Sequence, residues 1–152
     1  MSRLIEGSEL EETLRWMHRA VELGQKSPCQ RDQRGVVIVK NGILLGEGVN
    51  APPEGFTCEP KYCQPTCRFY AVHAEMNAIA DAVRKQNPLQ GSRMYHARVE
   101  GDKLADSRKP RCGECSKHVL TFGIADFVLK HEEGFTVYDA HEFNYLSINA
   151  KR

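Results

Sequence analysis

Leu10, Leu14, Met17 and Val21 recur at spacings of four, three and four, a single apolar stripe through a charged segment. That period predicts an amphipathic helix over residues 8–24. Ser8 with Glu11 reads as a capping box at its start, and Gly24 as its end. Trp16 and His18 lie beside the stripe, Trp16 as edge packing and His18 in solvent. The pattern then changes from helical to continuous: Gly35 to Lys40 is β-branched and reads as a buried strand. Asn41-Gly42 is a strong hairpin signal, with residues 43–49 returning as the partner strand.

Residues 50–70 have no periodicity and carry four prolines and three cysteines. A loop of that length is unusual unless it is functional or pinned, and the cysteines are the natural pin. Beyond it, Met76, Ile79, Ala80 and Val83 supply one face of a helix over 71–84, and residues 93–99 read as a third strand. A charged connection follows over 101–109. Cys115, Val119 and Phe122 share one side of a helix over 112–122, which Gly123 stops. Residues 124–129 are a fourth strand. Only four residues (131–134) separate it from a fifth at 135–138, too few for a parallel crossover, so the last strand is expected to run antiparallel. Asp139 with Glu142 resembles a cap for a short closing helix. The order α-β-β-α-β-α-β-β predicts a three-layer α/β domain spanning 1–152, a five-stranded mixed sheet with helices on both faces.

The composition changes this picture little. At 152 residues and a formal net charge of +1, the chain is long enough for a sizeable core and lacks the basic surplus of a nucleic-acid binder. The expected partner is therefore a small molecule. No apolar run reaches membrane-spanning length, and the acidic N-terminal stretch does not read as a secretory leader. A cytoplasmic location is expected, with the six cysteines reduced.

The chemistry sits in two short motifs, Val72-His73-Ala74-Glu75-Met76-Asn77 and Pro110-Arg111-Cys112-Gly113-Glu114-Cys115. One imidazole and two thiols make three soft ligands, a set that suits tetrahedral zinc with one position left for water. Both motifs fall where a helix begins, and helix N-termini favour thiolates. Positions two apart do not share a helix flank. His73 and Glu75 can therefore serve one centre only near the end of their helix. Zinc on His73, Cys112 and Cys115 would lower the pKa of a bound water. Glu75, not itself a ligand, would take that proton and deliver it to the ring nitrogen beside the attacked carbon, and would then protonate the departing amine.

His-x-Glu followed by Pro-Cys-x-x-Cys resembles the signature of zinc-dependent cytidine and deoxycytidylate deaminases, with Arg111 interposed after Pro110. Gly48-Val49-Asn50 is similar to the G-Y-N-G loop of deoxycytidylate deaminases. Thr66-Cys67-Arg68 and the run from Val72 to Ile79 resemble their H-C-I-R-T-x-H-A-E-M-N-A-I. The resemblance implies a cytidine-deaminase-like fold and hydrolytic deamination of a small pyrimidine nucleotide such as dCMP or CMP. A nucleoside, free base or nucleoside-like antibiotic is the alternative substrate. A polynucleotide-editing enzyme and a catalytically dead zinc module are less favoured.

It also implies a second, structural zinc, for which Cys29, Cys58, Cys63 and Cys67 are available. Asn50 would contact the sugar or base, and the Ala74 N–H would hold the ring carbonyl. Arg31, Lys61, Arg68, Arg108 and Arg111 are candidates for a phosphate clamp. Members of this superfamily usually assemble, so a homo-oligomer is expected.

Overall fold

Alternation along β2 (Gln33–Lys40) divides its side chains between two layers: Val36 and Ile38 turn to one face, Val37 and Val39 to the other. The computed structural model describes residues 2–59, 61, 71–110 and 112–150. Helix α1 (Ser8–Gly24) covers the second face through Met17, Ala20, Val21 and Leu23. The first face is covered by α2 (Ala74–Arg84), α3 (Gly113–Thr121) and α4 (Ala140–Ile148), with Ala78, Ile79, Val119 and Phe143 buried against the strands. The expected three-layer α/β arrangement is present.

The sheet holds seven strands among the described residues rather than the expected five. In addition to β2 it contains β1 (Arg3–Leu4), β3 (Ile43–Val49), β4 (Arg93–Glu100), β5 (Lys103–Ala105), β6 (Asp126–His131) and β7 (Gly134–Asp139). Their order is β1-β7-β6-β4-β2-β3, with β5 paired to β4. The two strands not foreseen, β1 and β5, are two and three residues long, too short to leave a period in the sequence. β5 arises inside the stretch read as a connection. Gly101, at φ 65, turns the chain back so that Arg98 pairs with Ala105. β4 and β6 are parallel, whereas β6 and the last strand β7 are antiparallel, as expected. Asn41 and Gly42 both take positive φ in the tight turn between β2 and β3.

Several local expectations are corrected. Gly7, not Ser8, precedes α1, and no side chain caps the helix there. Glu9 spends its carboxylate on Arg3 and Arg93 instead. Leu14 is half exposed because α1 rests on the sheet along the row Thr13, Met17, Ala20 and Gly24. Val83 and Phe122 are also exposed. Gly24 closes α1 for a packing reason, since a Cβ there would stand 2.6 Å from Val99 Cγ2. Asp139 does cap α4, accepting the Glu142 N–H at 2.9 Å.

Helix α2 is seated on β3 at backbone distance. A Cβ on Gly48 would lie 2.4 Å from the Ala78 nitrogen. Two side chains fix the register: Asn77 Nδ2 donates to Val49 O at 2.7 Å, and Asp81 Oδ2 accepts the Glu47 N–H at 2.9 Å. The long loop is closed at its base by an antiparallel bridge between Ala51 and Val72. These contacts decide where residue 73 begins its helix.

Candidate active site

His73 and Cys112 occupy the cap positions of α2 and α3, both with extended backbone. The Cys112 sulfur accepts the Cys115 N–H at 3.3 Å, so the thiol itself caps its helix. His73 Nδ1 lies 3.1 Å from Cys115 Sγ and 3.4 Å from Cys112 Sγ. All three ligand atoms fall within 4.8 Å of one another, with Cys115 buried, Cys112 half-buried and His73 exposed. A tetrahedral zinc with ordinary Zn–N and Zn–S bonds sets neighbouring donors roughly 3.5 Å apart. The donor set and its spacing fit that ion.

The electrostatics fit as well. A hydrogen bond from the Cys115 thiol, with His73 and a backbone N–H in support and against burial, pulls the Cys112 thiol down to about 5. The same Cys112 contact and burial push Cys115 up. The Cys112 hydrogen bond holds His73 up at about 9 against burial. Without a metal, one thiolate is thus shared among protons, and a divalent cation would take their place.

Glu75 is 5% exposed, one residue into α2, and its carboxylate lies beside the Cys115 thiol. Its Oε1 lies 2.9 Å from Nδ1 of His96 on β4. Burial acts to raise this carboxyl, but His96, Cys115 and His73 outweigh burial and hold it below the ordinary carboxylate range. Beside the trio is a cavity of about 280 Å³ lined by Glu75, Cys112, His96, Arg34, Arg108 and Phe127, among others. It opens near the carboxyl ends of the parallel pair β4 and β6, a usual place for ligands in such sheets.

Other candidate residues are more scattered. Asn50 turns its carboxamide onto the chain, accepting the Arg34 N–H at 2.8 Å and the Ser27 hydroxyl at 2.8 Å while donating to Asp32 O at 2.6 Å. Ala74 is the first residue of α2, where backbone N–H groups have no partner within the helix. Arg108 lines the cavity, whereas Arg31 is exposed on the bend before β2, and Lys61 pairs with Glu59 at 3.0 Å. Cys29 and Cys58 are free, half-buried thiols. Cys63, Cys67, Arg68 and Arg111 lie outside the described residues. His96 and Arg34 were not singled out from the sequence. The available signal was a polar residue at an inward position of a strand, since His96 shares its sheet face with Met94.

Residues 10–131 match the family model of the cytidine and deoxycytidylate deaminase zinc-binding region. The chain belongs to that family. It is a zinc-dependent aminohydrolase of the cytidine/deoxycytidylate deaminase type. A deoxycytidylate deaminase of Mycobacterium phage D29 is 30% identical over 127 residues, covering 74% of this chain and 89% of the relative. The crystal structure of dCMP deaminase from the cyanophage S-TIM5, in complex with dCMP and dUMP, is 26% identical at a TM-score of 0.62. That match covers 81% of this chain and 82% of the phage enzyme. A cytidine deaminase from Burkholderia pseudomallei, 16% identical at a TM-score of 0.61 over 86% of this chain and 94% of its own, shares the fold. No helix among the described residues is long and apolar enough to cross a membrane.

Proposed function

We propose that this chain, as a single cytoplasmic deaminase domain, converts a dCMP-like pyrimidine nucleotide to the uracil nucleotide and ammonia. The observation that carries the reading is the position of Glu75. Its carboxylate lies beside Cys115, a zinc ligand, and lines a cavity walled partly by cationic side chains. Zinc held by His73, Cys112 and Cys115 would supply a water acidified toward neutral pH. Glu75 would accept one proton from that water and pass it to the ring nitrogen next to the attacked carbon, then take the remaining proton of the added hydroxyl and pass it to the amine, which leaves as ammonia. Both proton transfers need a carboxylate that is ionised at rest, and its surroundings keep it so. In this reading the Ala74 N–H, at the positive end of α2, takes the ring carbonyl.

The choice of a nucleotide over a nucleoside rests on Arg108 and Lys109, two cations on the cavity wall. Arg68 and Arg111 stay proposed members of that clamp. Asn50 contributes by holding Arg34 and Asp32 in place. Cys29, Cys58, Cys63 and Cys67 would bind a second, structural zinc. Gln30 already ties the first two segments together, its Nε2 donating to Cys58 O at 3.3 Å. A homo-oligomer is supported by Tyr145 and Ile148, which α4 leaves 65% and 62% exposed.

The deciding experiment is an ammonia-release screen over dCMP, CMP, deoxycytidine, cytidine, cytosine, adenosine and guanine. A dCMP or CMP preference that disappears in an Arg108 or Lys109 variant supports the reading, and turnover of the nucleoside alone refutes it. Metal analysis should find two zinc ions per chain, and light scattering a mass above the monomer.

A further inference from the structure

Behind Glu75 stands a row of polar side chains to which the proton transfers above give no role. His96 is 8% exposed, with Nδ1 2.9 Å from Glu75 Oε1 and Nε2 3.1 Å from Arg34 Nη1. A guanidinium has N–H donors and no lone pair to offer. Nε2 must therefore accept from Arg34, and the hydrogen of the ring is left on Nδ1, facing the carboxylate. Arg34 has little freedom of its own. Its Nε and Nη2 donate to Asp32 Oδ2 at 3.1 and 2.9 Å, and its backbone N–H is fixed by Asn50. Arg98 Nε approaches the other Asp32 oxygen at 3.4 Å. The imidazole leans on Phe127 at a centroid distance of 5.8 Å, and Phe127 stacks on Phe143. The short contact to Glu75 lies off the ring N–H direction, so that Nδ1 has no well-aligned acceptor. Such a bent contact is typical of catalytic groups before substrate arrives, and tightens once the site is loaded.

We infer that His96 is the positioning residue for Glu75. Arg34 sets the tautomer in which Nδ1–H holds Oε1, leaving the second carboxylate oxygen to exchange protons with water and substrate. The inference rests on the deaminase reading. It is not met by the three ligands and the glutamate alone, since nothing else described on β4 fixes which oxygen of Glu75 works. The relation parallels the outer partners that orient catalytic and metal-binding side chains elsewhere.

The test compares His96→Gln with His96→Asn in the zinc-loaded enzyme. Asparagine can place an N–H where Nδ1 stood, whereas glutamine reaches toward Nε2 and leaves Glu75 without its donor. His96→Gln should lower kcat by about 10–100-fold with KM and zinc content little changed. His96→Asn should restore most of that loss. Equal rates in the two variants, a loss carried by KM, or no loss overturns the inference. Should His96→Gln fail to fold, Arg34→Met carries the test, with a smaller fall in kcat that is absent when His96→Asn is already in place; a fall that persists there overturns it. A wild-type chain that releases no ammonia, or an active Glu75→Gln control, overturns the deaminase reading itself, whatever the His96 variants do.

Discussion

The Asn50 side-chain oxygen accepts the backbone N–H of Arg34 at 2.8 Å, joining the end of β3 to the start of β2 beside the cavity. Three hydrogen bonds from Asn50 converge on that corner. Each is worth about 1 kcal/mol net. Asn50→Ala should therefore cost about 2–3 kcal/mol by denaturant titration. It should also weaken substrate binding, because Asp32 and Arg34 lose their support. Retained stability with lost turnover would show instead that Asn50 works on the substrate directly.

Glu75→Gln keeps the shape and removes the proton carrier. Zinc content should match the wild type while kcat falls by about 10²–10⁴. Atomic absorption alongside ammonia release checks both halves. A zinc-poor variant would make Glu75 part of the metal's support.

Gly48→Ala tests the seating of α2. A Cβ would stand 2.4 Å from the Ala78 nitrogen and 2.7 Å from Asn77 C, which is backbone that cannot step aside. The expected penalty is about 1–3 kcal/mol. Activity should drop further than the residual folded fraction accounts for, because His73 and Glu75 shift with the helix. Wild-type melting would show that the helix and strand can separate without cost.

Glu9 links α1 to the sheet through Arg3 and Arg93, whose hydrogen bonds hold its carboxyl down at about 2 against an ordinary 4.5. A depressed carboxyl stabilises the fold fully above its unfolded value and loses that contribution as pH falls toward its folded value. Ion pairs this exposed are worth little, about 1 kcal/mol in total. Glu9→Gln should melt a few degrees below the wild type at pH 7, and the gap should narrow steadily as pH falls from 4.5 to about 2. A gap that is constant with pH would assign the effect to packing.

Removing the metal should be read at the thiols. Chelation frees the Cys112 thiolate, which hydrogen bonds hold near pKa 5, so a thiol reagent should modify it rapidly at pH 7 and slowly once zinc is restored. Equal labelling with and without zinc would remove Cys112 from the ligand set.

What could be read in advance was local. The Asn41-Gly42 turn, the Asp139 cap and the two ligand motifs each lie within a few residues, and their chemistry demands particular side chains at particular spacings. What escaped depends on distant partners. His96 becomes informative only because the sheet lays it between Glu75 and Arg34, both far away in the chain. Leu14 matched the helical period, but the close approach of Ala20 and Gly24 to Gly35 rolled α1 toward its small residues and left the leucine outside. β5 was hidden because three polar-flanked residues pair through backbone groups that every sequence possesses.

That small strand has a thermodynamic consequence. Its pairing to β4, together with the Ser107 N–H bonded to Lys130 O at 2.9 Å, stitches the segment carrying Arg108 and Lys109 into the sheet from two sides. A wall held this way surrenders little conformational entropy when a ligand enters. Contacts made to that wall are then offset little by the cost of ordering it.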